Sequence, residues 1–308
     1  MKKKISILIP IYNEVENIKN IYESLRLLFL NRLKNYDYEI LFLDNASNDG
    51  SRDECLKIRE SDENTLYLRQ SRNFGYQSNI LTGYYHCNGD SAICIDADGQ
   101  DDPELLISLI EKWENGYDVV YGIRKDREEN FLLKNTRKAF YRTLNYFSDF
   151  DIPADSGDFR LVNRKIIDLI KLTKENSLYL RGLISYFGYK QIGIKYKRKK
   201  RNLGKSKFNF ADNFNLAEIG IVSFSKFPLK FITMSGLAIF VFSLVGIIFY
   251  LSLFFMKGTA VAGFTTIILV LLFFFGIIIF FLGITALYIG QILDEVKNRP
   301  RFIIDEKK

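Results

Sequence analysis

The chain has 308 residues, 48% of them apolar, and a formal net charge of +7. That length allows one large domain or two smaller ones, each with a true core. Cys55, Cys87 and Cys94 form no CxxC pair and leave an odd count, which excludes a disulfide or zinc framework and fits a reduced, cytoplasmic compartment.

The opening MKKKISILIPIYNE puts basic residues before apolar ones, as a signal peptide does, but Pro10 and Glu14 cut the apolar run short. It reads instead as a first strand, Ile5 to Ile11. Further strands are predicted over Tyr38 to Leu43, Thr65 to Leu68, Ser91 to Ile95 and Asp118 to Gly122. Helices are expected near Glu14 to Leu30, Arg52 to Arg59, Tyr76 to His86, Pro103 to Asn115 and Leu132 to Phe147. Such alternation predicts an α/β fold with a mostly parallel sheet and helices on both faces. Later come a strand at Asp158 to Val162, helical segments from Arg164 and Leu178, and a strand at Gln191 to Tyr196. In open α/β sheets ligands bind at the carboxyl ends of strands, and three polar clusters follow strands directly: Tyr12-Asn13-Glu14, Asp44-Asn45, and the acidic stretch CIDADGQDDPE from Cys94.

Within that stretch Asp96, Asp98 and Gln100 occupy alternate positions of an extended segment, so their oxygens can converge on one side. Oxygen donors without neighbouring His or Cys suit a hard cation, Mg²⁺ or Mn²⁺, which takes its remaining ligands from water and substrate phosphate. Asp101 to Glu104 are expected mainly to start the next helix, where acids favour the positive dipole end. No GxGxxG follows the first strand and no GxxxxGK[ST] occurs, so dinucleotide oxidoreductases and P-loop NTPases lose their best signal.

Between Lys190 and Lys230 stand eleven Lys or Arg against Asp212 and Glu218. This basic segment leads toward a membrane and points to anionic lipid; nucleic acid is disfavoured because no recognition motif accompanies the charge. The run from Lys195 to Arg201 also reads as a solvated edge strand. From Phe208 to Phe227 the apolar residues Phe210, Phe214, Ala217, Ile221 and Phe224 recur at helical spacing, which predicts an interfacial amphipathic helix; the alternative is a helix packed on the α/β domain. No charge occurs from Phe231 to Met256 or from Gly258 to Leu293, and each run exceeds the ~20 residues needed to span a bilayer. With Lys257 alone in the intervening loop, the spans read as a hairpin with both termini cytoplasmic. The expected organisation is therefore a catalytic domain over 1–207, the interfacial helix over 208–228, spans over 229–256 and 260–293, and a tail over 294–308. His86 and Trp113, each the sole residue of its type, read as structural. Gly236, Gly246, Gly276 and Gly283 are possible close-approach points for a homo-oligomer, for instance a tetramer.

Six ordered stretches, PIYNEVENI, LDNASNDGS, QSRNFGYQSNILTG, DADGQDDPE, DSGDFRLVNR and RNLGKSKF, together resemble family 2 glycosyltransferases of the GT-A fold. They are most similar to the polyprenyl-phosphate branch, the dolichyl-phosphate mannose synthases and bacterial bactoprenol glucosyltransferases. The resemblance implies that Pro10, Tyr12, Glu14, Asp44 and Asn45 contact the nucleotide of a sugar donor, and that Asp96, Asp98 and Gln100 hold the metal and diphosphate. It further implies that Arg124 and Arg137 hold the acceptor phosphate, that Arg201 and Lys207 close over the donor diphosphate, and that Asp158 lies near the reacting centre. Asn45 stands where the family usually has a second Asp, which bears on the base contact. Gly99 and Asp102 replace a bulky apolar residue and a proline, which implies a more mobile metal loop. The implied reaction is inverting transfer from a nucleotide sugar, first UDP-glucose and otherwise GDP-mannose, to undecaprenyl phosphate. A processive polysaccharide synthase is disfavoured because the sole tryptophan lies in EKWEN rather than in a Q/RxxRW motif. A non-catalytic membrane scaffold is the remaining rival.

Overall fold

The computed structural model describes residues 2–125, 156–175, 179–198, 227–257 and 264–308. Its centre is an eight-stranded sheet: β1 (Lys4–Ile11), β2 (Asp37–Asp44), β3 (Thr65–Gln70), β4 (Ser91–Cys94), β5 (Val119–Lys125), β6 (Ser156–Asn163), β7 (Gln191–Lys197) and β8 (Ile304–Lys307). The strand order is β7-β5-β6-β4-β1-β2-β3-β8. Strand β1 pairs in parallel with β2 and β4, β2 with β3, and β5 with β7; β6 runs antiparallel to both β4 and β5, and β8 antiparallel to β3.

The helices that cover the sheet are α1 (Val15–Asn31), α2 (Ser51–Ser61), α3 (Tyr76–His86), α4 (Leu105–Glu114), α5 (Arg164–Leu172) and α6 (Leu180–Tyr186). Because side chains alternate across a strand, β1 feeds two cores. Ile5, Ile7, Ile9 and Ile11 pack with Ile18 and Leu25 of α1 and with Leu106 and Trp113 of α4. Leu8 faces the other way, onto Ile80 and Leu81 of α3 and Ile166 and Ile170 of α5. Burial on both faces is why β1 is apolar without alternation. On α1 the buried Ile18, Ile21, Tyr22, Leu25, Leu28 and Phe29 form one stripe at three- and four-residue spacing.

Helix α3 approaches the sheet closely: a Cβ on Gly83 would lie 2.7 Å from Leu43 Cδ1 and 3.0 Å from Leu8 Cδ1. A side chain there would have to displace the leucine methyls packed beneath the helix.

Two long apolar helices follow, α7 (Phe227–Lys257) and α8 (Phe264–Lys297), which touch each other. Among the described residues one segment, Phe273–Lys297 in α8, is long and apolar enough to cross a membrane. The second helix therefore extends past the expected boundary at residue 293. The tail beyond it is not a simple appendage, because β8 adds to the sheet edge. Tyr67 and Lys308 exchange backbone hydrogen bonds at 2.7 and 3.0 Å, and the Arg52 guanidinium forks onto both Glu306 oxygens at 2.8 Å. Arg301 donates to the carbonyl of Glu175, and Phe302 packs edge-on against Tyr85. The helix expected over Leu132 to Phe147 and nearly all of the interfacial helix expected over 208–228 lie outside the described residues.

Candidate active site

Strand order and register bring four polar segments to one end of the sheet. Strand β4 ends at Cys94, which pairs with Arg160 of antiparallel β6. The neighbouring residues Tyr76 and Gln77 of α3 reach Asp96 and Asp158 respectively. On its other side β6 pairs Arg160 with Tyr121 of β5, and β5 pairs Arg124 with Tyr196 of β7.

Three carboxylates meet one guanidinium at the mouth of β4. Arg198 donates from Nη2 to Asp96 Oδ2 at 2.9 Å and from Nε to Asp101 Oδ1 at 3.2 Å, and its Nη2 lies 3.8 Å from Asp98 Oδ2. The Tyr76 hydroxyl donates to the other Asp96 oxygen at 2.6 Å, and the Tyr196 hydroxyl to Asp101 at 2.5 Å. Burial, and then the charges of Asp101 and Asp98, push the Asp96 carboxyl up to about 6, against the hydrogen bond from Tyr76 and the charge of Arg198. A quarter of the Asp96 side chain remains exposed, so solvent softens the repulsion. Gly99 turns the loop at φ 68, a left-handed conformation that favours glycine, and the Gln100 amide donates to Asp98 Oδ1 at 3.1 Å.

Asp101 departs from the expected helix-starting role. Helix α4 begins at Leu105, whereas Asp101 is fully buried and committed to Tyr196 and Arg198. Asp102 holds the turn that leads into the helix, its carboxylate accepting from the Glu104 amide and its carbonyl from the Leu105 amide, while Glu104 is the N-cap residue and has no side-chain cap.

Beside the acids lies a basic cage. Arg181, at the start of α6, donates Nε to Asp158 Oδ1 at 3.0 Å and Nη2 to Asp158 Oδ2 at 2.6 Å; Gln77 reaches Oδ2 at 3.4 Å. Burial alone would raise the Asp158 carboxyl, but the charge and hydrogen bonds of Arg181, then the charges of Arg160 and Arg124, hold it at about 2. Arg160 is itself buried and donates to the Gly157 carbonyl, and the Nε atoms of Arg124 and Arg160 are buried without a hydrogen-bond partner. Arg124 lies flat over Gly157, where a Cβ would stand 3.2 Å from its Nη2.

The two turns after β1 and β2 are laced together. The Asn13 amide donates to Ser47 Oγ, the Asn48 amide to Asn13 Oδ1, and the Glu14 amide to Ser51 Oγ, at 2.9, 2.8 and 3.1 Å. Asn13 takes φ 56 to make this turn. Asp44, fully buried, accepts from the Ser47 amide, the Tyr67 hydroxyl and Arg69. Asn45 bridges to Asn73 Oδ1 and the Phe74 amide, tying in the turn that enters α3. Pro10 lies in β1 opposite Leu43, and Tyr12 stands 39% exposed at the mouth of the crevice. Glu14 precedes α1 and accepts from Asn17 Nδ2.

Of the residues singled out in the sequence, Asp96, Asp98, Asp158 and Arg124 thus converge on one region, and Pro10, Tyr12, Glu14, Asp44 and Asn45 on the adjoining crevice. Arg137, Arg201 and Lys207 lie outside the described residues. Sequence reasoning missed Tyr76, Asp101, Arg160, Arg181, Tyr196 and Arg198 as members of this network. A usable signal existed for one pair: Tyr196 and Arg198 are two residues apart on an extended segment, so both can face the same acid.

A model of the family described as glycosyl transferase family 2 matches residues 6–170. An uncharacterized glycosyltransferase of Bacillus subtilis (strain 168), YkcC, is 40% identical over 98% of this chain and 93% of its own length. The bactoprenol glucosyl transferase of Shigella phage SfII is 37% identical over 98% of this chain and 97% of its own. Among solved structures, a mannosyltransferase from Pyrobaculum calidifontis in complex with GDP-Man and Mn²⁺ superposes with a TM-score of 0.48 and 14% identity, covering 72% of this chain and 63% of that one. Matched by the family model over more than half its length and by relatives above 30% identity over nearly all of it, this protein is an enzyme of glycosyltransferase family 2.

Proposed function

We propose that the protein transfers a sugar, first choice glucose from UDP-glucose, onto a polyprenyl phosphate at the cytoplasmic face of a membrane, with inversion at the anomeric carbon. The observation that carries this reading is an acidic cluster suited to a cation with a diphosphate, joined through Tyr196, which hydrogen-bonds both Asp101 and Arg124, to a basic cage suited to a second phosphate. In the cage three arginines surround one carboxylate, so a net positive charge is left for an anion. The Nε atoms of Arg124 and Arg160, buried and without a hydrogen-bond partner, are its open donors. Arg137 is assigned to the same phosphate by resemblance.

A phosphate monoester has its second pKa near ~6 and is largely dianionic at pH 7. Such a nucleophile needs no general base. Asp158, held at about 2, is a fixed anion that orients Arg181 and, through the shared cage, the arginines that meet the acceptor. In the crevice, Tyr12 offers a ring face to the donor base, and Asp44 and Asn45 fix the shape of the turn around it. Arg201 and Lys207 are assigned to the leaving diphosphate by resemblance.

The acidic loop fits a divalent cation. Asp96 and Asp98 already direct oxygens at one cationic group, the Arg198 guanidinium, which stands in for an ion. Among the described residues no three His, Cys, Asp or Glu side chains are grouped to hold an ion unaided. Asp96, Asp98 and Gln100 would hold Mg²⁺ or Mn²⁺ together with donor oxygens, and the bound ion would neutralise charge on the departing diphosphate.

We place the catalytic domain and both termini in the cytoplasm, with α7 and α8 as a two-span hairpin, the basic segment on anionic lipid, and the protomers in a homo-oligomer such as a tetramer. The relatives named bactoprenol glucosyl transferases support the acceptor and the sugar. The test incubates purified protein with Mg²⁺ or Mn²⁺, undecaprenyl phosphate and a panel of labelled nucleotide sugars. Transfer from UDP-glucose to lipid is expected; transfer from GDP-mannose instead would move the donor assignment, and transfer from no donor would sink the reading.

A further inference from the structure

Arg198 sits between the carboxylates of Asp96 and Asp98, the two acids to which a divalent cation is assigned. Its Nη2 is 2.9 Å from Asp96 Oδ2 and 3.8 Å from Asp98 Oδ2, while Nε holds Asp101. The position is built into the strand: Tyr196 and Arg198 alternate along the end of β7, and both reach Asp101. Three carboxylates face one guanidinium, so the partly buried cluster keeps an excess of negative charge, with Arg198 23% exposed.

We propose that Arg198 makes metal binding conditional on the nucleotide: its guanidinium competes with a divalent cation for Asp96 and Asp98, and yields only when a diphosphate arrives to receive it. This rests on the sugar-nucleotide reading above. A cation and a guanidinium directed at the same carboxylate oxygens repel each other, so the two compete for Asp96 and Asp98. A bare cation therefore has to evict Arg198 from Asp96 and Asp98 and leave it with Asp101 alone. A diphosphate brings oxygens in the spacing that a guanidinium binds in bidentate fashion, so the evicted side chain gains a replacement partner beside the group that leaves in the reaction. Metal and nucleotide then strengthen each other's binding by a common factor, as linkage requires.

The test reads Mn²⁺ binding directly, from the paramagnetic resonance signal of free Mn²⁺, on the full chain in detergent. Wild type, Arg198→Gln and Arg198→Lys are titrated without nucleotide and with saturating UDP or GDP. Arg198→Gln should bind Mn²⁺ alone about tenfold more tightly than wild type, and its enhancement by nucleotide should shrink by the same factor. Arg198→Lys, which keeps the charge, should bind the bare ion as weakly as wild type. If Arg198→Gln binds bare Mn²⁺ no more tightly, or keeps the full enhancement, the coupling role is overturned. Should that variant be unstable, unfolding followed by Trp113 fluorescence replaces the titration: a larger Mn²⁺-induced rise in midpoint than in wild type supports the competition, and an equal or smaller rise overturns it. If no form binds Mn²⁺ with either nucleotide, the metal reading of the site falls together with the coupling. Normal linkage without sugar transfer to lipid would strike the acceptor assignment and leave the coupling intact.

Discussion

Asp158→Asn separates a fixed anion from a general base. The folded protein lowers the carboxyl from 3.8 to about 2, so the cage favours its ionised form by roughly 2 to 3 kcal/mol at about 1.4 kcal/mol per unit. Only 8% of the side chain is exposed, so little of this is lost to solvent. The isosteric amide keeps one acceptor and discards the charge; destabilisation of about 2 to 3 kcal/mol is expected, measured by urea unfolding in detergent with the sole tryptophan, Trp113, as reporter. Arg181→Gln removes two charged hydrogen bonds from the same carboxylate, so the double variant should cost less than the sum of the single ones, with a coupling of about 1.5 to 3 kcal/mol. In the transfer assay Asp158→Asn should lower kcat by less than about tenfold, against the ~10² to 10⁴ expected for loss of a general base. Its KM for polyprenyl phosphate should not rise, because the cage becomes more positive. A drop in kcat beyond a hundredfold, with KM and stability unchanged, would refute the reasoning.

The same carboxylate sets a pH signature. Its folded pKa lies below the unfolded one, so its contribution is complete above about pH 4 and is lost as pH falls toward about 2; Asp158→Asn should flatten the unfolding free energy against pH across that window, and an unchanged slope would contradict the assignment. Gly89→Ala should destabilise by about 1 to 3 kcal/mol or more in the same unfolding assay, because its Cβ would stand 2.7 Å from the Ser6 nitrogen and 2.8 Å from the Lys4 carbonyl, backbone atoms that cannot step aside; a neutral effect would mean that β1 is less fixed than described. Deleting residues 304–308 removes the strand that accepts from Tyr67 and holds Glu306 against Arg52, and should speed hydrogen exchange at the Tyr67 amide while leaving that of Leu8, in central β1, unchanged.

Much of the sheet was legible because β1, β2 and β4 are buried on both faces, and burial leaves a continuous apolar run between polar turns. Asp96 and Asp98 stood out for a related reason: charges placed directly after a buried strand have no structural task there. Asp101 did not stand out, because DDPE carries the residue types of a helix start, and only the fold reveals that its carboxylate turns back to Tyr196 and Arg198. The cage was hidden for a different reason. The antiparallel register that brings Arg160 beside Cys94, and Arg181 reaching Asp158 from a helix with no periodic signal of its own, leave no local trace. Strand β8 was missed because IDEK, with three charges in four residues, resembles a solvated tail; it is an edge strand whose acid is held by Arg52. Gly99, a departure from the family pattern, is explained by the left-handed backbone it adopts.

The central claim is that one acidic cluster and one basic cage act on two phosphate-bearing substrates in a single transfer. Mass spectrometry of the lipid recovered after incubation with UDP-glucose, undecaprenyl phosphate and Mn²⁺ tests it most directly. The account requires a lipid phosphate heavier by one hexose, formed by wild type and lost in Asp96→Asn and in Arg124→Gln. Unmodified lipid beside UDP and free glucose, or a hexose-bearing lipid made equally well by both variants, would contradict it.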